Sequence, residues 1–157
     1  MTQRKIIVTG GAGFIGSHTV VDLVENGFEP ILIDDFSNSD PVVVERLATI
    51  CGRAIRCHDL DCRDRGGVSR VFREEGPIQG VIHFAASKAV GESQEKPLHY
   101  YANNLGSLIT ILEVMCEVGV RDFVFSSSCT VYGQPESLPV TEETEIAEPA
   151  SVYGATK

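Results

Sequence analysis

The chain has 157 residues, enough for one domain with a core of its own. Hydrophobic residues make up 43% and charged residues 22%, an ordinary globular balance, and no run approaches the ~20 apolar residues that span a bilayer. The net charge of −9 argues against a nucleic-acid partner, whose phosphates require clustered Lys and Arg.

Met1-Thr2-Gln3-Arg4-Lys5 leads straight into a β-branched run at 5–9, without the apolar stretch and cleavage site of a signal peptide. That run ends in glycines and reads as a buried parallel strand. Apolar spacing then predicts a helix over 13–26, stopped by Gly27. A second buried strand follows at 30–34, with Pro30 as its tolerated first residue. A short helix at 42–51, a strand at 54–58 and a helix at 63–75 come next, the last with Val68, Val71 and Phe72 on one side. The fourth strand is predicted at 80–84 and a loop at 85–96. A long helix spans 97–118, with Pro97 in its first turn. A fifth strand at 122–126, a loop at 129–150 and a helix starting near Val152 complete the chain. Alternating strands and helices predict an α/β fold, a doubly wound parallel sheet of the Rossmann kind with order 3-2-1-4-5.

The five cysteines are Cys51, Cys57, Cys62, Cys116 and Cys129. The number is odd and no Cys-x-x-Cys occurs, so a disulfide framework is not expected and a reducing cytoplasm fits. Cys51, Cys57, His58 and Cys62 match no common zinc spacing, so no metal is expected. Cys116 is expected in a helix core, Cys129 packed beside the fifth strand, and His18 and His83 in structural roles.

The turn Gly10-Gly11-Ala12-Gly13-Phe14-Ile15-Gly16 fits a dinucleotide cradle in two registers, Gly11-x-Gly13-x-x-Gly16 or Gly10-x-x-Gly13-x-x-Gly16. One glycine makes the tight turn, one lets backbone approach a pyrophosphate, and one lets helix pack on strand. The helix start adds free N–H groups and a positive dipole end. Asp34 closes the second strand, where a carboxylate holds adenosine ribose hydroxyls and repels a 2′-phosphate, favouring NAD over NADP. Asp35 shares that role or is simply solvated. Asp59 either reaches the adenine edge or is a turn aspartate. Phe84, Ala85 and Ala86 put small residues at the end of the fourth strand, where such cofactors lie.

Tyr153 and Lys157 share one face of a helix at i and i+4. A phenol of ordinary pKa ~10 is a poor base, and a neighbouring ammonium favours its phenolate. Ser128 follows the fifth strand, where its hydroxyl could hold a reacting oxygen. In the helix at 97–118, Leu98, Tyr101, Leu105, Ile109, Leu112 and Cys116 form an apolar stripe that Leu108, Ile111, Met115 and Val118 widen. That is more than one sheet face buries, so either a homodimer forms through this helix or further chain covers it.

These residues resemble the extended short-chain dehydrogenase/reductases, and within them the branch that interconverts UDP-glucose and UDP-galactose. The resemblance runs over essentially the whole chain. Its most specific strings are the opening turn with Ser17 and His18, Lys88-Ala89-Val90-Gly91-Glu92-Ser93, and Ser126-Ser127-Ser128-Cys129-Thr130-Val131-Tyr132-Gly133. It implies that NAD contacts Phe14 and Ile15, then Asp34, Asp35, Phe36, Ser37, Asn38 and Ser39. It also implies contacts from Asp59, Leu60, Phe84, Ala85, Ala86, Lys88 and Asn104. Ser128 would bind the sugar's 4-oxygen, Tyr153 would be the base, and Lys157 would hold the nicotinamide ribose. The implied reaction oxidises carbon 4 of a UDP-sugar to a ketone and reduces it on the other face.

Sister dehydratases and decarboxylases of nucleotide sugars carry an acidic residue shortly after the active-site Ser or Thr, where this chain has Cys129 and Thr130. Epimerases of other UDP-sugars and a non-catalytic dinucleotide-binding module remain alternatives. Val152 stands where many relatives have proline. The resemblance further implies that residues 1–157 are the N-terminal NAD-binding part, ending at the catalytic lysine. The last strands and a UDP-sugar domain would be missing, and the isolated chain would not turn over sugar.

Overall fold

A computed structural model describes residues 4–135 and 137–157. Met1, Thr2 and Gln3, and Glu136 of the predicted loop, lie outside the described residues. Five parallel strands form one sheet in the order β3-β2-β1-β4-β5, as the strand–helix alternation predicts. The strands are β1 Arg4–Thr9, β2 Phe28–Asp34, β3 Arg56–Asp59, β4 Ile78–His83 and β5 Asp122–Phe125. The helices are α1 Phe14–Glu25, α2 Val42–Cys51, α3 Arg65–Glu74, α4 Val90–Glu95, α5 Pro97–Tyr100, α6 Gly106–Val118 and α7 Val152–Ala155.

Side chains alternate across the strands, so each sheet face acquires its own core. Ile7, Ile31 and Ile33 pack with Val68 and Phe72 of α3 and Ile111 of α6. Ile6, Val8 and Leu32 face the other way, onto Val20 of α1 and Leu47 of α2. Central strand β1 is thus buried on both faces, and its C-terminal end opens where the glycine turn begins.

Several boundaries differ from expectation for physical reasons. Strand β2 starts at Phe28, so Pro30 lies inside it rather than at its first position. It is tolerated because β3 joins β2 only from Ile31 onward, leaving Pro30 paired on the β1 side alone. Strand β3 begins at Arg56, two residues late, because its pairing with β2 starts only at Ile31 opposite Arg56, with Ile55 packed into the α1/α2 core just before it. The predicted loop at 85–96 contains α4, in which Lys96 pairs with Glu92 at i,i+4 and Ser93 is buried.

The predicted helix at 97–118 is not continuous. A π-helical turn at Tyr101–Leu105 separates α5 from α6. A π turn carries an extra residue, so the apolar stripe slips around the axis, and such turns gather at functional sites. Tyr100, Asn104 and Ser107 consequently face inward, while Leu98 and Ile109 are 81% and 55% exposed. Cys116 lies on that outer face and is exposed, not in a helix core. Cys129 starts a 3₁₀ turn, Cys129–Tyr132, and is likewise exposed rather than packed beside β5. None of the described helices is long and apolar enough to cross a membrane.

Candidate functional site

One cavity of about 640 Å³ runs along the C-terminal ends of the strands. Its floor is the glycine turn. Gly10 has φ +66°, and a Cβ there would stand 2.8 Å from the backbone N of Ala85. A Cβ on Gly16 would come within 2.2 Å of the Gly10 carbonyl oxygen. Side chains at these positions would collide with the turn and with the end of β4, so glycine alone lets the backbone pack this closely, and it leaves the cavity floor bare. Gly13, the N-cap of α1, also lines the floor. Phe14 and Ile15 follow in the first turn and stand 77% and 59% exposed at the cavity rim.

Asp34 is 8% exposed and ties this floor to the next loop. Its carboxylate accepts from Ala12 N–H at 2.9 Å, Phe36 N–H at 3.1 Å and the Ser39 hydroxyl at 2.8 Å. A carboxylate has about four acceptor positions, so room for a ribose hydroxyl remains. Asp35, Ser37, Asn38 and Ser39 line the cavity beside it. Phe36 does not line it; its φ of +55° turns the chain there. Leu60 lines the cavity, whereas Asp59 is exposed at the end of β3.

The other end is built from β4, β5 and α7. Phe84, Ala85, Ala86 and Lys88 line it together with Tyr153 and Lys157. The ends of β1 and β4 are pinned by His83, whose Nδ1 lies 2.7 Å from the Thr9 hydroxyl. His83 is 1% exposed, and burial, with the nearby Lys157 charge, pushes it down to about 4. Its ring stacks on Phe125, and the Lys157 ammonium lies 4.6 Å above that same ring. Burial lowers the Lys157 pKa from its ordinary value. The Ser151 hydroxyl caps α7 by accepting from Gly154 N–H, which sets the helix that presents Tyr153.

Asn104 does not line the cavity. From the π turn its amide donates to the Ser87 carbonyl and the Thr156 hydroxyl and accepts from Ser87 N–H, bracing the cavity loop against α7. Ser128 also stays outside the lining; its Oγ accepts from Thr130 Oγ1 at 3.0 Å, and Ser126 lines the cavity instead. His18 packs edge-on against Phe14, a structural role.

Residues that sequence reasoning did not assign also border the cavity. Tyr100, fully buried, accepts from Ala89 N–H and donates to the Glu92 carboxylate. Burial and that carboxylate raise the Tyr100 phenol, while the Lys96 hydrogen bond lowers Glu92. Asp61 and Arg63 border the opposite end. Their position just past a strand end was the available signal, since ligands lie there in such sheets.

A family model described as GDP-mannose 4,6 dehydratase matches residues 7–157. The chain belongs to that family. Its fold and the placement of its motifs are those of the extended short-chain dehydrogenase/reductases. It is 45% identical to UDP-glucose 4-epimerase 2 of Arabidopsis thaliana, over 98% of the chain but 44% of the plant protein. It superposes with a TM-score of 0.94, at 46% identity, on the Bifidobacterium longum UDP-glucose 4-epimerase in complex with NAD+ and UDP. That match covers 98% of this chain and 45% of the bacterial one. The Stenotrophomonas maltophila UDP-glucose-4-epimerase, with bound NAD and formylated UDP-arabinopyranose, gives 0.93 at 42% identity, covering 99% and 46%. The chain thus spans a little under half the length of these relatives.

Proposed function

We propose that the chain is the NAD-binding part of an enzyme that interconverts UDP-glucose and UDP-galactose. The observation that carries this is one cavity with the glycine turn and Asp34 at one end and Tyr153 and Lys157 at the other. The side-chain-free floor at Gly10 and Gly16 fits a dinucleotide. NAD held there would supply the reversible hydride acceptor for carbon 4 of the sugar.

The chain's own residues do the rest. Gly10, Gly13 and Gly16, with Phe14 and Ile15, admit the pyrophosphate. Asp34 would hold the adenosine ribose, with Asp35, Ser37, Asn38 and Ser39 around it, and two adjacent carboxylates oppose a 2′-phosphate. Leu60 would border the adenine, with Asp59 outside the lining beside it. Phe84, Ala85, Ala86 and Lys88 border the nicotinamide end, which Asn104 braces. Tyr153 removes the proton of the sugar 4-hydroxyl and gives it back, and Lys157 would hold the nicotinamide ribose while favouring the phenolate. Ser128, bonded to Thr130 outside the cavity lining, would have to turn inward to hold the 4-oxygen.

The rest of such an enzyme supplies the UDP-sugar domain, so the 157 residues alone bind NAD and do not turn over sugar. The matched share of the relatives, 44% to 46%, supports this division. The exposed stripe of Leu98 on α5 and Ile109 and Leu112 on α6 supports a homodimer through the segment 97–118. Five free thiols fit a reducing cytoplasm.

The test is conversion of UDP-galactose to UDP-glucose with NAD, comparing this chain with the product of the full reading frame. Conversion by the longer protein alone is expected. Conversion by the chain alone would contradict the division of labour. Failure of both would redirect the assignment to another UDP-sugar or to a non-catalytic module.

A further inference from the structure

We propose that Arg63 is an adenine clamp, binding the base of the dinucleotide by stacking rather than by hydrogen bonds. This rests on the dinucleotide assignment above. The sheet order fixes where the base must lie. The glycine turn follows β1, the ribose carboxylate Asp34 ends β2, and β3 is the next strand outward. Asp34 pairs in register with Asp59, and Leu60 N–H donates to the Asp34 carbonyl at 3.1 Å. A base attached to a ribose at Asp34, pointing away from the pyrophosphate, therefore meets the loop between β3 and α3.

That loop lines the cavity with Leu60 and Arg63. Leu60 offers an apolar side chain, seated in the space left by Gly67, where a Cβ would come within 2.4 Å of it. Arg63 offers a planar cation held from two directions. Its Nε donates to both Asp61 carboxylate oxygens at 3.0 Å, and its Nη2 donates to Oδ2 at 2.5 Å. Its aliphatic stem passes the first residue of α6, where a Cβ on Gly106 would stand 3.6 Å from Cγ. A guanidinium is weakly hydrated and stacks on flat π systems, and fixing its plane beforehand lowers the entropy cost of doing so. An exposed ion pair between neighbours in sequence adds little to stability, so the fold alone gives slight reason for this fork.

Titration calorimetry of NAD and ADP-ribose into the wild-type chain, R63A, R63K and D61A tests the clamp, with unfolding midpoints confirming that each variant folds. R63A should weaken both ligands by ~10-fold, the scale of a partly desolvated cation–π contact. R63K should remain within about threefold of R63A, because it keeps the charge and loses the plane. D61A, which leaves the guanidinium unheld, should fall between wild type and R63A. R63A binding within twofold of wild type would overturn the clamp, as would full recovery by R63K, which would indicate attraction of the pyrophosphate by charge. Failure of the wild-type chain to bind NAD would instead refute the dinucleotide assignment, and the clamp with it.

Discussion

Gly16→Ala probes the cradle through a single methyl group. The added Cβ would lie 2.2 Å from the Gly10 oxygen and 2.9 Å from the Gly11 Cα. Both are backbone atoms of the turn itself, so no side chain can rotate away and the turn must move by about an ångström. Overpacking of this kind costs ~1–3 kcal/mol, and an all-backbone clash belongs at the upper end. At ~2–4 °C per kcal/mol for a chain of this size, the unfolding midpoint should drop ~6–12 °C. The displaced turn should also lose NAD affinity by at least ~30-fold, the equivalent of ~2 kcal/mol. Gly52→Ala is the control. Its φ is +63° with nothing within 4 Å, so it should cost ~1–2 kcal/mol in backbone strain and leave NAD binding unchanged. Thermal scans with and without NAD read both effects. A Gly16→Ala chain with wild-type midpoint and wild-type NAD affinity would refute the cradle.

His83 titrates near 4 in the fold against 6.5 when free, so the unfolded chain binds the proton more strongly between those values. Stability should be full above pH ~6.5 and fall by ~3 kcal/mol as pH drops toward 4, and His83→Gln should flatten that slope in urea titrations. Asn104→Ala strands the Ser87 amide and carbonyl, while the Thr156 hydroxyl keeps its bond to the Tyr153 carbonyl, for a loss of ~2–4 kcal/mol in urea unfolding and weaker NAD retention. In the full-length enzyme, Tyr153→Phe should lower kcat ~10²–10⁴-fold with NAD affinity within about twofold of wild type, and an active variant would remove Tyr153 as the base. Thiol labelling at pH 8 should modify Cys129 quickly and spare Cys57 and Cys62, both pushed up to about 12 by burial. Cys116 should label in dilute chain and become protected as concentration rises; constant labelling would argue against a dimer through α6.

The sheet order followed from the alternation of strands and helices, and the glycine turn from spacing within one segment. The shared helix face expected for Tyr153 and Lys157 is not formed, because α7 ends at Ala155, although both residues line the cavity. The π turn had no such signal. It inserts one residue into a run whose composition is helical throughout, so Cys116 read as helix core but stands outside, beside the exposed Leu98 and Ile109 of the stripe. Pro30 read as a strand start because its tolerance depends on where β3 joins, a property of another segment. The brace at Asn104 needs partners from elements folded against it, and no spacing rule carries that information. The fork at Arg63 is local to its loop, but that it lines the cavity depends on β2 and β3 lying side by side.

The most direct test of the central claim is the crystal structure of the chain grown with NAD. The expected density places the pyrophosphate over Gly10, Gly13 and Gly16, the adenosine ribose at Asp34 and the nicotinamide beside Tyr153 and Lys157. Ordered NAD bound elsewhere, or a cavity that stays empty at saturating NAD, would contradict the account.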